Sequence, residues 1–388
     1  MKVQEVKIKY NEYLIEKRRY FHMHPEVSGK EYNTSRSIKK ELEKMGIPWT
    51  SCGFETGVLA IIQGDKLGKT ILLRADMDAL TVNETTGASY ASVNDGVMHA
   101  CGHDCHMAML LTAARILNDG KESLCGTVKL AFQPAEEIAK GAQAMIDQGV
   151  LNGVDACFAI HVWTDVPSGF VSLEPGPRMA SCDQFSIQII GRGCHGAQPE
   201  AGIDAIVATA SMINNLQSIV SREISPIDPA VITIGTVQAG TRWNVVAEES
   251  RLDGTTRCFS EDVWEKFPQR MERVMKTTAE AFRTQSSLKY ERLVPPTVNN
   301  PEFTFLAQKS AKKVMGENCL INFTATTAAE DFSVFLRKKP GAIALLGTGS
   351  EDCGAVWPNH SGNFCVDESQ LIKGAMLYAQ VAIDFNAS

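Results

Sequence analysis

The 388-residue sequence contains no run approaching the ~18 consecutive apolar residues that a membrane-spanning helix requires. Its opening stretch, MKVQEVKIKYNEYLIEKRRYFHMHPE, is charged throughout and lacks the apolar segment of roughly 7–15 residues found in secretory signals, so a cytoplasmic protein without a membrane partner is expected. Basic residues are not in excess. With 38 Lys and Arg against 45 Asp and Glu, the net charge of −7 offers no footprint for nucleic acid. The 11 cysteines, an odd number spread from Cys52 to Cys365, show no framework spacing and are expected to be free thiols unless they bind metal. Low-complexity tracts and repeats of about 20–50 residues are missing too, which excludes solenoids and propellers.

What remains, 44% hydrophobic and 21% charged positions, is a globular composition, and the length predicts two domains. Short apolar runs (GVLAIIQG, KTILLRADM, GTVKLAFQP, DACFAIHVW) alternate with helical patterns over 31–45, 104–117 and 136–148. That is an α/β signature with a mostly parallel sheet buried on both faces by helices. From Asp183 to about Leu293 the pattern becomes β-α-β-β-α-β, an antiparallel sheet with helices on one face, resembling the ferredoxin-like split βαβ sandwich. After Pro295 and Pro296 the first pattern resumes, with helices over 301–315 and near 330–336, the strand GAIALLGTG and a final helix from Glu368. We therefore expect one domain of residues 1–181 and 295–388, interrupted by an inserted domain of residues 182–294.

The strongest local signal is VMHACGHDCHMAMLL, where two cysteines and three histidines crowd a turn leading into a helix. Thiolate and imidazole are the donors that zinc and related divalent metals take. Cys101 and His103 are the preferred ligands; His99 and His106 are either supports for the ligands or packed residues, and Cys105 reads as a small buried one. In ILLRADMDAL, Asp76 and Asp78 end a buried strand, where open α/β sheets collect ligands; they are expected to orient the imidazoles, the alternative being a simple ion pair with Arg74. LAFQPAEEIAKGAQAMI repeats the strand-then-acid design, with Glu136 and Glu137 at an expected helix start. Two adjacent carboxylates there can divide the work, one coordinating and one holding a proton, or can merely stabilise the helix dipole. His161 ends the strand DACFAIHVW, and His360 lies in WPNHSGNF. Ligands of types Cys, His, Glu, His and His suit two metals sharing a bridge.

Taken in order, RRYFHMHPE, ILLRADMDAL, GVMHACGHD, AFQPAEE, AIHV, GRGCHGAQPEAGIDAI, AAEDFSVF and NHSGNF span nearly the whole chain. The sequence resembles the di-metal amidohydrolases of the aminoacylase and carboxypeptidase type, in the group of hippurate hydrolase, indole-acetyl-amino-acid hydrolase and N-acyl-amino-acid deacylases. The resemblance implies that Cys101, His103, Glu137, His161 and His360 bind two divalent ions, manganese or zinc with cobalt and nickel as alternatives, and that Cys101 bridges them. It implies that Glu136 is the general base and acid, with Asp78 beside it in the catalytic group. His195, on the inserted domain, would hold the developing oxyanion, and Asn244 would lie near the substrate carboxylate or that oxyanion. Three departures from the usual pattern are Cys105, where relatives commonly carry glycine, NHSGNFCVDES, a variant of the more usual leucine-histidine-serine segment, and Cys194 beside His195, where small residues are usual.

The expected reaction is hydrolysis of the amide bond of a small N-acyl amino acid, with a homodimer through the inserted domain, by the resemblance a lid or dimerisation domain beside the catalytic one, as the expected assembly. The rival readings are a dipeptidase or exopeptidase of the same metal chemistry, a non-catalytic binding protein that keeps the fold, and an amidase using Cys101 as nucleophile.

Overall fold

The computed structural model describes residues 3–388, with side chains from Glu5 onward. Its contacts group the chain into two compact units: Met1–Gly176 with Val298–Thr324 and Asp331–Ser388, and Pro177–Thr297 with Ala325–Glu330. The short segment 325–330 joins the second unit because it pairs with the backbone of 178–180, through Thr326 N–H to Arg178 O and Ala180 N–H to Thr326 O. No sequence pattern marks this.

The first unit is built on a seven-stranded sheet. Its strands are β1 (Trp49–Ser51), β2 (Val58–Gln63), β3 (Lys66–Asp76), β4 (Cys125–Gln133), β5 (Ala156–Pro167), β6 (Val171–Ser172) and β7 (Gly341–Gly349), in the order β1-β2-β4-β3-β5-β7-β6. The four central strands run parallel, and β1, β2 and β6 add antiparallel margins. Successive residues of a strand point to opposite faces, and here both faces are covered. Ile71 and Leu73 of β3, with Val128, Leu130 and Phe132 of β4, enter a large core shared with Leu14, Leu110, Phe303 and Leu377 from the helices Val3–Met23, His103–Asp119, Pro301–Met315 and Leu371–Asn386. Leu72, Ala131 and Ala159 face the other way, against Ala142, Met145 and Phe335. The near-continuous apolar runs of these strands follow from this two-sided burial.

Parallel pairing brings the carboxyl ends of β3, β4 and β5 to one end of the sheet, with Asp76 opposite Gln133 and Arg74 opposite Ala159. The N-terminal helix Val3–Met23, which no motif announced, packs Val6, Tyr10, Leu14 and Phe21 into the same core. Their steps of four, four and seven residues follow the stripe of an amphipathic helix, diluted by charged neighbours.

The second unit is a four-stranded antiparallel sheet in the order Ala230–Ala239, Glu249–Cys258, Cys182–Ile190, Gln285–Val294. Phe185, Ile187, Ile189 and Leu252 on one of its faces pack against Met212 and Leu216 of the helix Ala205–Ser218 and Phe267 and Met271 of the helix Glu261–Ala281. The chain order is the expected β-α-β-β-α-β. Among the described residues, no helix is long and apolar enough to cross a membrane.

Candidate active site

Asp76, the last residue of β3, is fully buried and shared between Arg74 and the histidines His103 and His106. Arg74 Nη1 donates to its Oδ2 at 2.6 Å, and His106 Nδ1 lies 2.5 Å from its Oδ1. The ion pair with Arg74 and the imidazole-orienting role, posed as alternatives in the sequence, therefore coexist. Burial disfavours the charged carboxylate, but His103, His106 and Arg74 outweigh that and hold its pKa well below the usual range. Arg74 also donates to Asp331 Oδ1 (2.9 Å) and Gln133 Oε1 (2.9 Å), which satisfies a buried guanidinium.

The loop before the helix His103–Asp119 turns at Gly102, whose φ of +84° is one that L side chains rarely adopt. A Cβ there would lie 2.3 Å from Val162 Cγ2, so only glycine lets the loop approach β5. Consequently Cys101 Sγ comes within 3.5 Å of His161 Nε2. His103 Nδ1 is 2.8 Å from the backbone oxygen of Asp78, and His161 Nδ1 is 2.7 Å from the backbone oxygen of Val162. A carbonyl only accepts, so each Nδ1 carries the proton and each Nε2 keeps its lone pair for a further partner. His106 differs. Its Nδ1 is taken by Asp76 and its Nε2 accepts from Val162 N–H at 2.9 Å, so it supports the site instead of lining it. His99 is buried with neither ring nitrogen hydrogen-bonded, belongs to no metal-capable group among the described residues, and is pushed down to about 4 by burial, which keeps it neutral. Cys105 is fully buried.

The expected helix start at Glu136 and Glu137 is not found. The helix begins at Gly141, and the two acids sit on a turn flanked by Ala135 and Ala139, each at φ 55°. The turn closes through Ala139 N–H to Glu136 O (2.7 Å) and Gly141 N–H to Ala135 O (3.1 Å). Gly141 permits this, since a Cβ would fall 1.6 Å from Pro134 O. Helix-dipole stabilisation therefore does not explain the acids. Instead, Glu137 N–H donates to Asp78 Oδ2 (3.0 Å), linking the turn to the end of β3.

Two three-member groups with metal-ligand spacing share Cys101: Cys101, His103 and His161, and Cys101, Glu137 and His360. In each, one donor atom per residue lies within 4.8 Å of the others. The same holds for His103, Glu136 and Glu137, so Glu136 stands beside both groups. Glu137 Oε1 is 3.9 Å from His103 Nε2 and 3.5 Å from His360 Nε2. Burial pushes the Glu137 carboxyl up to about 7, against the opposing pull of His103. His103 Nε2 and Glu137 Oε1 are buried without a hydrogen-bond partner, an expensive arrangement unless a further group completes them. A divalent cation fits: the atoms are thiolate, imidazole and carboxylate donors, and they converge. His360 is held at φ 70°, a conformation that non-glycine residues adopt at a cost, with its N–H bonded to Ala100 O at 2.8 Å.

His195 and Asn244 belong to the second unit. The strand Cys194–His195 pairs with Val245–Val246, placing His195 opposite Val245, next to Asn244 in the chain, and Gly196 N–H bonds Asn244 O (2.9 Å). His195 is exposed; its Nδ1 accepts from Ala197 N–H (3.1 Å), which leaves Nε2 as the protonated nitrogen. Asn244 Oδ1 is buried without a partner. Cys194 is half-buried, its Sγ 3.2 Å from Gln198 O. A cleft of about 610 Å³ in this unit is lined by residues that include Gln188, Gln238, Val245 and Arg251.

The profile of peptidase family M20/M25/M40 matches residues 72–384. The chain belongs to this family. It is 41% identical to thermostable carboxypeptidase 1 of Saccharolobus solfataricus over 97% of this chain and 96% of that protein. It is 40% identical to the N-acetyl-L-cysteine deacetylase of Bacillus subtilis, covering 93% of this chain and 85% of the relative. Among solved structures, a dinuclear metal-binding M20 peptidase of Bacillus subtilis superposes with a TM-score of 0.85 at 35% identity, covering 96% of this chain and 97% of the other. The protein is thus an enzyme of a metal-dependent hydrolase family that acts on amides.

Supporting residues of this M20 chain escaped the sequence. Asp104, directly after His103, is buried and paired with Arg18 Nε (2.9 Å) and His22 Nδ1 (2.8 Å) from the N-terminal helix. Asp331 gathers Arg74, Gln133 and the backbone N–H of Ala142 (3.0 Å). The conjunction of Arg18 and His22 in RRYFHMHPE was visible, but nothing in the sequence names Asp104 as their partner.

Proposed function

We propose that the chain hydrolyses the amide bond of small N-acyl amino acids, releasing a carboxylate and a free amino acid. In this reading Cys101, His103, Glu137, His161 and His360 hold two divalent cations, with Cys101 common to both. Manganese or zinc suits this mixture of soft and hard donors, and cobalt or nickel is also compatible. Bound there, the pair supplies Lewis-acid polarisation of a carbonyl and a lowered pKa for water. Asp78 fixes the His103 tautomer through its backbone oxygen and ties in the Glu137 turn through its carboxylate. Glu136 accepts a proton from the attacking water and returns it to the leaving nitrogen, so the same carboxylate serves as base and then acid. His195 donates from Nε2 to the oxyanion, and Asn244 binds the substrate carboxylate or that oxyanion.

The observation that carries this reading is the division of labour on one turn. Glu137 Oε1 faces His103 and His360 without a hydrogen bond, while Glu136 remains alongside. The kinship with an N-acetylcysteine deacetylase supports an acyl amino acid as substrate; kinship with a carboxypeptidase favours, as a second reading, an exopeptidase using the same groups. The two separate in one assay. Metal-loaded protein is offered N-acetyl and N-benzoyl amino acids beside dipeptides with free amines, and release of amino acid is measured. Faster turnover of the acylated set is expected; turnover of the dipeptides alone would replace this reading with the second. A cytoplasmic location and pairing of two copies through the second unit, whose sheet has free edges at Ala230–Ala239 and Gln285–Val294, belong to the same proposal.

A further inference from the structure

The turn carrying Glu136 and Glu137 is held from outside by a residue distant in sequence. Glu31, fully buried, accepts from Ala135 N–H at 2.9 Å and from Gly29 N–H at 2.8 Å through Oε1, while Oε2 accepts from Thr56 Oγ1 at 2.8 Å. Ala135 is the residue immediately before Glu136 and is one of the two held at φ 55°. Its carbonyl is engaged as well, accepting from Lys140 and Gly141 N–H. A non-glycine residue does not stay at that φ unless its surroundings over-determine it, and the Glu31 carboxylate supplies the hydrogen bond on the N–H side. Three residues earlier, Ser28 Oγ donates to Asp78 Oδ2 at 2.6 Å, and that oxygen also accepts from Glu137 N–H at 3.0 Å. The stretch 28–31 therefore grips the turn at both sides of Glu136: Glu31 holds Ala135, and Ser28 reaches Glu137 through Asp78.

We propose that Glu31 is a positioning residue for Glu136 and Glu137, fixing the strained backbone from which both carboxylates project. It touches neither substrate nor cation. This rests on the functional reading above, in which Glu136 handles the proton and Glu137 is a ligand. Loss of the Ala135 contact lets the backbone leave φ 55°, and both side chains are displaced. The function needs an acceptor at Oε1, not a charge. Gln supplies a carbonyl oxygen for Ala135 and Gly29, and its amide can donate to the Thr56 hydroxyl, which also accepts.

The test compares Glu31→Gln, Glu31→Met and Thr56→Val in the full-length protein. Apo protein is titrated with Mn²⁺ by calorimetry, and kcat, KM and Tm are measured on the loaded enzyme. Glu31→Met, similar in size but without an acceptor, should bind Mn²⁺ more weakly and lose about 100-fold in kcat, the size of effect expected from an ångström-scale misplacement. Glu31→Gln should bind Mn²⁺ and turn over close to wild type. Thr56→Val, which removes a contact to Glu31 but none to the turn, should lower Tm and leave kcat and Mn²⁺ affinity in place. If Glu31→Met does not fold, Glu31→Asp, one methylene too short to keep all three contacts, should show the same losses in weaker form. The proposal is overturned if Glu31→Met or Glu31→Asp melts earlier yet binds Mn²⁺ and turns over normally, or if Gln fails as Met does. A Glu136→Gln variant that binds Mn²⁺ normally and stays active would overturn the functional reading alone, since the calorimetric comparison of the Glu31 variants still reports on the turn.

Discussion

Glu136 and Glu137 are chemically identical neighbours, and what separates them is the direction each carboxylate takes from a strained turn. Glu137 is linked through its N–H to Asp78 and faces His103 and His360; Glu136 groups with His103 and Glu137 and accepts from Asp331 N–H at 3.4 Å. Glu136→Gln should lower kcat by about 10²–10⁴, the usual contribution of a positioned acid–base group, with bound metal unchanged by elemental analysis. Activity near wild type would remove Glu136 from the proton-handling role, and loss of metal would instead make it a ligand.

The turn 134–141 and the antiparallel sheet of the second unit illustrate how far local sequence reaches. The strands and the helix Pro301–Met315 were legible because apolar periodicity and proline placement are local signals. The turn was not. PAEE reads as a helix start, and only the long-range hydrogen bond from Ala135 to Glu31 and the close approach of Gly141 to Pro134 make a non-helical turn the better solution. The metal-type residues were all visible, whereas Asp104, Asp331 and Glu31 were not, because a buried carboxylate is defined by partners that lie up to hundreds of residues away.

At Ala139, a β-branched residue is incompatible with φ 55°. Ala139→Val should cost about 1–3 kcal/mol and reduce turnover, whereas Ala139→Gly, free to adopt that angle, should retain both; paired thermal melts and kinetics check this. In the second unit, burial raises the pKa of Asp183, partly offset by hydrogen bonds from Leu293 N–H (3.0 Å) and Tyr290 OH (2.9 Å). A raised folded-state pKa means the folded chain retains a proton that the unfolded chain has already released. Stability from this group therefore falls as pH rises from the ordinary Asp value of about 3.9 through the folded value. Asp183→Asn should remove that slope, so its Tm relative to wild type should climb across this interval; a constant difference would contradict the assignment.

For the molecule as a whole, the proposed donors Cys101 and His103, Glu137, His161 and His360 come from four separate stretches of chain, so binding of cations there would be linked to the stability of the first unit. A ligand present at 100 times its Kd and binding only the folded state adds about 2.7 kcal/mol. Dialysis against a chelator should therefore lower the Tm and abolish turnover, and re-addition of Mn²⁺ or Zn²⁺ should restore both. An unchanged melting curve after verified metal removal would show that the buried unpartnered atoms of His103 and Glu137 are stable without a cation.

The central claim is that one thiolate serves two cation positions, and the metal content of Cys101→Ala tests it most directly. After loading with Mn²⁺ or Zn²⁺ and removal of excess, wild type should carry two ions per chain by elemental mass spectrometry, and Cys101→Ala should lose occupancy at both positions, while removal of the unshared His360 should affect one. Two ions per folded chain of Cys101→Ala would contradict the shared site.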